Sequence, residues 1–191
     1  MKDLIVEVVN SYLDIFSNER ERLSLLLEFL DKSSEVEVYD WNNSNGHVTV
    51  GAFIYSEKED KFLVLYHRDL EMYLYPGGHI DSNDKTLLDA LYREVYEECG
   101  IKDLKLFDIC SDGMPFDIDC HIIPYNERVG MGEHYHFDFR YLFYVNGCMD
   151  IKYDEDEMSS YKWISSNELV KDKNFGSTVM KLIDIKNREV K

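Results

Sequence analysis

At Gly46 the spacing of apolar residues changes from helical to alternating, and that change limits what the chain can build. Before it, Ile5, Val8, Val9, Tyr12 and Phe16 recur every three or four residues, and Leu23, Leu26, Leu27 and Leu30 repeat the pattern after Ser17-Asn18. Such spacing predicts two amphipathic helices, each with one stripe that must be covered. The run Trp41-Asn42-Asn43-Ser44-Asn45-Gly46 is turn chemistry. Residues 1–45 are therefore expected to form a helical extension and residues 46–191 the main domain. The stripes are covered either by that domain or by a second copy in a homodimer.

Beyond Gly46 the pattern alternates. Val48 to Tyr55 and Lys61 to His67 predict a hairpin across the charged Ser56-Glu57-Lys58-Glu59-Asp60 turn. Glu71 to Leu74 extends toward Pro76-Gly77-Gly78, where a turn is expected. Asp84 to Cys99 predicts a helix with Leu87, Leu88, Leu91 and Val95 on its apolar side and Gly100 as its stop. Strands are expected around Leu104 to Cys110, Phe116 to Ile123, His134 to Val145 and Tyr161 to Ile164, then a short helix after Ser166 and a last one around Val179, Leu182 and Ile183.

The helix ending at Cys99 carries the strongest chemical signal. At about 100° per residue, Glu97 and Glu98 project on the same side as Glu94, away from the apolar stripe. Three like charges so placed repel, and a hard divalent cation compensates them; Mg²⁺ favours carboxylate oxygens and activates water and phosphoryl groups. A solvated acidic face, with Arg93 paired to Glu97, is the alternative.

The flanking residues favour the metal. Gly78, followed by Arg93-Glu94-Val95-x-Glu97-Glu98-x-Gly100-Ile101, resembles the signature box of the Nudix hydrolases, G-x5-E-x7-R-E-U-x-E-E-x-G-U with U aliphatic. The box departs in one place: Asp84 stands where its first glutamate belongs, with one residue too many before Arg93. Further likeness to a bacterial branch with an N-terminal helical extension lies in Gly46-His47-Val48-Thr49, Tyr75 to Asp81, Asp117 to Pro124 and Glu133 to Tyr141.

The resemblance implies an α+β fold, a Nudix-type α/β/α sandwich around a mixed β-sheet preceded by a helical pair. It also implies Mg²⁺- or Mn²⁺-dependent hydrolysis of a diphosphate linkage in a nucleoside diphosphate derivative or similar compound. The metal set is Glu94, Glu97, Glu98 and Gly78, with one glutamate as a base and Arg93 orienting a carboxylate. Asp84 would replace the lost glutamate as an N-cap or short acid, and Lys85 is an alternative phosphate contact.

Strand alternation places Asp117, Asp119 and His121 on one face, and His134, His136, Asp138 and Arg140 on one face of another strand. Buried polar rows need partners, so the two rows are expected to meet and line a cleft. The His-x-His-x-Asp order also suits Zn²⁺ or Mn²⁺. Arg140 and Arg128 are phosphate candidates, His79 approaches phosphate or stabilises its turn, and Glu133 is a candidate base outside the box. Trp41 and Trp163 are assigned to packing.

With 38 acidic against 21 basic residues the net charge is −17, which opposes nucleic acid polymers as partners. Cys99, Cys110, Cys120 and Cys148 are scattered, and neither a leader nor a membrane span is visible, so a cytoplasmic setting is expected. Two other functions remain open on sequence: a non-catalytic ligand-sensing or interaction module, and a Nudix-fold isoprenyl diphosphate isomerase. The isomerase lacks its motif cysteine here.

Overall fold

The computed structural model describes residues 1–107, 113–125 and 130–189. Its centre is an eight-stranded mixed sheet. The longest strands, β1 (Gly46–Ser56) and β7 (His134–Val145), run parallel at its middle. The strands β2 (Lys61–His67) and β6 (Asp117–Ile123) flank them antiparallel, and β8 (Met158–Ser165) continues beyond β2. Three short strands complete it: β3 (Met72–Leu74) on β2, β4 (Gly77–His79) on β1 and β5 (Lys105–Leu106) on β7. The β1–β2 hairpin turns where the charged run predicted.

Strand alternation sends β1 side chains to two cores. Val48, Val50, Ala52 and Ile54 pack with Leu87, Ala90, Leu91 and Val95 of α3 (Leu87–Cys99). Phe53 and Tyr55 pack oppositely with Leu169 of α4 (Ser166–Leu169) and with Val179 and Leu182 of α5 (Gly176–Glu189). The result is a helix–sheet–helix sandwich, as expected.

The N-terminal helices α1 (Lys2–Ile15) and α2 (Ser24–Lys32) are joined through a 3₁₀ turn at Ser17–Glu19. Their stripes, including Ile5, Val9, Tyr12, Leu26 and Leu30, enter the same core as α3. Phe29 stacks on Phe137 of β7 with ring centroids 4.5 Å apart. Arg22 reaches the carbonyl of Ile118 at 2.5 Å and the carboxylate of Asp117 at 3.0 Å.

Several local expectations are corrected. The central helix begins at Leu87, not Asp84, because Thr86 caps it: its hydroxyl accepts from the Asp89 amide at 3.0 Å while the Asp89 carboxylate accepts from the Thr86 amide at 3.1 Å. Gly77–His79 is not a plain turn but a strand paired to β1. At the far end Gly100 closes α3 in the left-handed region, φ 66°, as a glycine stop should. The strand expected over Leu104 to Cys110 is seen only at Lys105–Leu106; positions 108–110, Cys110 included, lie outside the described residues. Trp41 is exposed rather than packed.

Candidate active site

The short strand β4 lies against the last turns of α3, and three contacts fix the pair. Arg93 donates to the carbonyl of His79 at 2.8 Å. A side chain on Gly78 would meet the carboxylate of Glu94 at 2.8 Å, so any larger residue here must push that carboxylate aside. The amide of Gly77 donates to Oε2 of Glu98 at 2.9 Å.

Arg93 is the hub of this corner. Besides His79 it donates to Asp84 at 2.8 and 3.3 Å, to Glu94 at 2.9 Å and to Glu97 at 3.1 Å. Asp84 also accepts from the Asp81 amide at 2.8 Å. Asp84 is therefore a short acid that ties loop to helix and not an N-cap, which is how the box tolerates an inserted residue. Lys85 is exposed one residue on.

The three glutamates differ in environment. Glu97 is exposed, Glu94 is half-buried and Glu98 is buried. Burial raises the Glu94 carboxyl above its usual range, against the pull of Arg93. Burial also pushes Glu98 up to about 8, opposed by the Gly77 amide and assisted by the charges of Glu94, Glu157 and Asp154. A buried carboxylate among acids is short of positive charge, so this donor set fits a hard divalent cation. Glu157 and Asp154 were not anticipated. They reach the site through the loop before β8, and no spacing rule links them to α3.

On the opposite sheet face the two polar rows meet in register, Asp117 beside Arg140, Asp119 beside Asp138 and His121 beside His136. Arg140 is 2 % exposed, and its donors go to Asp138 at 2.9 Å, Asp119 at 2.8 Å and Thr178 at 3.2 Å. The rings of Tyr75 and Phe53 cover it. It thus neutralises buried carboxylates rather than facing solvent. Burial works against the charge of Asp119, yet His121 and Arg140 hold its carboxyl down at about 2. Asp138 also accepts from Tyr75 at 2.5 Å and Thr49 at 3.1 Å.

At the end of these rows the imidazoles gather. His134 lies 3.2 Å from His136 (Nε2 to Nε2), and its Nδ1 lies 2.8 Å from the Gly132 carbonyl. Beside His136 is His47, fully buried, with neither ring nitrogen hydrogen-bonded among the described residues. Such an unmatched polar group costs about 1–3 kcal/mol. Burial and the neighbouring rings lower His47 to about 3 and His136 to about 2, so both are neutral at physiological pH. His79 and Glu133 are exposed, and Arg128 lies outside the described residues. His47 was missed because the β1–β7 pairing that brings it to His136 joins segments about ninety residues apart in the chain.

Comparison with known proteins decides the family. A family model described as the NUDIX domain matches residues 45–182. The chain belongs to the Nudix family. A probable DHNTP pyrophosphohydrolase of Lactococcus lactis is 30 % identical over 128 residues, 67 % of this chain and 71 % of that one. An RNA pyrophosphohydrolase of Bartonella tribocorum is 32 % identical over 84 residues, 42 % of this chain and 43 % of that one. Among solved structures, the dihydroneopterin triphosphate pyrophosphohydrolase of E. coli superposes with TM-score 0.55 at 20 % identity, covering 70 % of this chain and 92 % of the other. A C. elegans Ap4A hydrolase gives 0.56 at 19 %, covering 73 % and 97 %; both likenesses speak for the fold. As a Nudix member the chain is a phosphoanhydride hydrolase that depends on divalent metal.

Proposed function

We propose that this Nudix protein hydrolyses the diphosphate linkage of a small nucleoside diphosphate derivative or similar pyrophosphate compound, with Mg²⁺ or Mn²⁺ held at the α3–β4 corner. The observation that carries the reading is the buried, charge-starved Glu98 carboxylate, tied to the Gly77 amide and grouped with Glu94 and Glu157. Glu94, Glu98 and the main chain at Gly78 would hold the metal, with Glu97 beside them on the solvent side. A bound divalent ion supplies polarisation of phosphoryl oxygen and activation of water. Glu97, exposed and steadied by Arg93, is the group placed to take up a proton. Arg93 keeps the carboxylates and the β4 carbonyl in fixed geometry.

Two relatives named above, a probable DHNTP pyrophosphohydrolase and an RNA pyrophosphohydrolase, support a phosphoanhydride next to a heterocycle-bearing group. The acidic surface supports a small substrate over a nucleic acid polymer. Burial raises the Cys99 thiol and pushes that of Cys120 up to about 12, which opposes thiol chemistry of the isomerase kind. The free, separated thiols support a reducing, cytoplasmic setting. No described helix is long and apolar enough to cross a membrane. The burial of the α1 and α2 stripes against the sheet supports a packing role for residues 1–45 as an extension of the domain at 46–191.

The test is release of phosphate, pyrophosphate or nucleotide from nucleotide sugars, dinucleoside polyphosphates, nucleoside triphosphates and pterin triphosphates with Mg²⁺ or Mn²⁺. Cleavage by the native chain and its loss in Glu97→Gln establish the reading. A panel that stays intact while metal binds favours a ligand-sensing module.

A further inference from the structure

The carboxylates on α3 leave a second cluster unused. His47 on β1, His79 on β4 and His136 on β7 come from three strands, and each offers a ring nitrogen within 4.8 Å of the others. Register puts them on one face: His47 sits beside His136, and Thr49, two residues on, sits beside His79. Gly78, the neighbour of His79, faces α3, so this cluster lies across the sheet from the glutamates. It is not the His134-His136-Asp138 set that strand spacing suggested, because Asp138 is consumed by Arg140, Tyr75 and Thr49.

Two observations point to a ligand. The first is His47, a fully buried ring without a hydrogen-bond partner on either nitrogen among the described residues, which leaves a lone pair among imidazoles. The second is the hydrogen-bond order behind His136. A carbonyl only accepts, so His134 Nδ1 carries a proton toward Gly132, and in the tautomer whose Nε2 is bare that nitrogen accepts from Nε2 of His136. A neutral His136 then has a bare Nδ1. Metal-binding histidines are oriented by this kind of outer partner.

We propose that His47, His79 and His136 form a second metal site for a borderline-soft divalent cation, Zn²⁺ foremost, distinct from the hydrolytic ions at α3. Three imidazoles with no carboxylate among them select Zn²⁺ over Mg²⁺. Tetrahedral Zn–N bonds of about 2.05 Å bring donor nitrogens to roughly 3.3 Å, so nitrogens now within 4.8 Å of one another close by up to about 1.5 Å when the ion binds. His79 is exposed, which gives the ion a way in and leaves the fourth position to solvent or a ligand. The ion clamps β4 to β1 and β7, and thereby steadies Gly77 and Gly78 on the other face.

The test uses the full chain, stripped with chelator and titrated with Zn²⁺ against a chromophoric competitor, then with Co²⁺ as a spectroscopic probe. The native protein and a Glu94→Gln/Glu98→Gln variant should each bind one tight equivalent that excess Mg²⁺ does not displace, with imidazole-type Co²⁺ absorption. His79→Ala, at an exposed position, should weaken Zn²⁺ by about 100-fold or more, and His134→Ala by about 10- to 100-fold. Undiminished affinity in both His79→Ala and His136→Asn overturns the site, as does binding that disappears with the glutamates. Should His136→Asn not fold, His79→Ala decides alone. Hydrolysis lost in Glu97→Gln says nothing about this ion, so the two readings fail separately.

Discussion

The main-chain amide of Gly77 donates to Oε2 of Glu98 across 2.9 Å, which makes the buried end of α3 and the glycine strand one unit. Among the described residues this carboxylate receives one hydrogen bond and no cation, and burial raises its affinity for a proton. With the metal held at this corner as proposed, its binding would displace that proton.

That linkage has a sign. The folded Glu98 carboxyl titrates near 8 against an ordinary value of 4.5, so the folded state holds a proton that the unfolded state has lost. Its contribution to stability is full below about 4.5 and disappears as pH rises through about 8. In chelator, the Tm of the native chain should fall between pH 5 and 9 more than that of Glu98→Gln. Thermal melts across this range check it; parallel profiles count against a protonated Glu98.

Turnover should respond to the carboxylates of α3. Glu97→Gln and Glu98→Gln are expected to lower kcat by about 10²-fold or more, since a few kcal/mol of transition-state stabilisation pass through the ions they hold or serve. Circular dichroism should stay native. Activity that survives both single changes removes catalysis from α3.

Gly78→Ala tests the close approach of β4. The added methyl would lie 2.8 Å from the Glu94 carboxylate and displace it. A shift of that size is expected to cost roughly 10²-fold in kcat/KM, with a smaller change in Tm.

Arg140 separates a structural from a substrate role. Its removal leaves Asp138 and Asp119 without their buried cation, so Arg140→Met should destabilise the fold by about 3–5 kcal/mol in denaturant unfolding. A raised KM with unaltered stability would instead make it a phosphate contact.

The extension should behave as core. Phe29→Ala empties the stack on Phe137 and is expected to cost about 3 kcal/mol. A negligible loss in unfolding experiments would mean that α2 is only lightly docked.

Local chemistry was legible from the residues. The stripes of α1, α2 and α3, the β1–β2 hairpin, the glycine stop at Gly100 and the two polar faces of β6 and β7 follow from period and turn chemistry, which act over a few residues. The helix start slipped by three positions because Asp84 and Thr86 are both plausible caps, and only the position of Arg93 shows which one is otherwise engaged.

What the sequence determined by itself was thus which faces are apolar, which helix gathers carboxylates, and the family signature that both carry. The tertiary structure decided which distant groups meet: Glu157 and Asp154 with Glu98, Arg140 with three aspartates, and His47 with His79 and His136. Each meeting depends on strand register or loop return between segments far apart in the chain. Burial and charge at such a meeting belong to neither segment alone, so no local pattern records them.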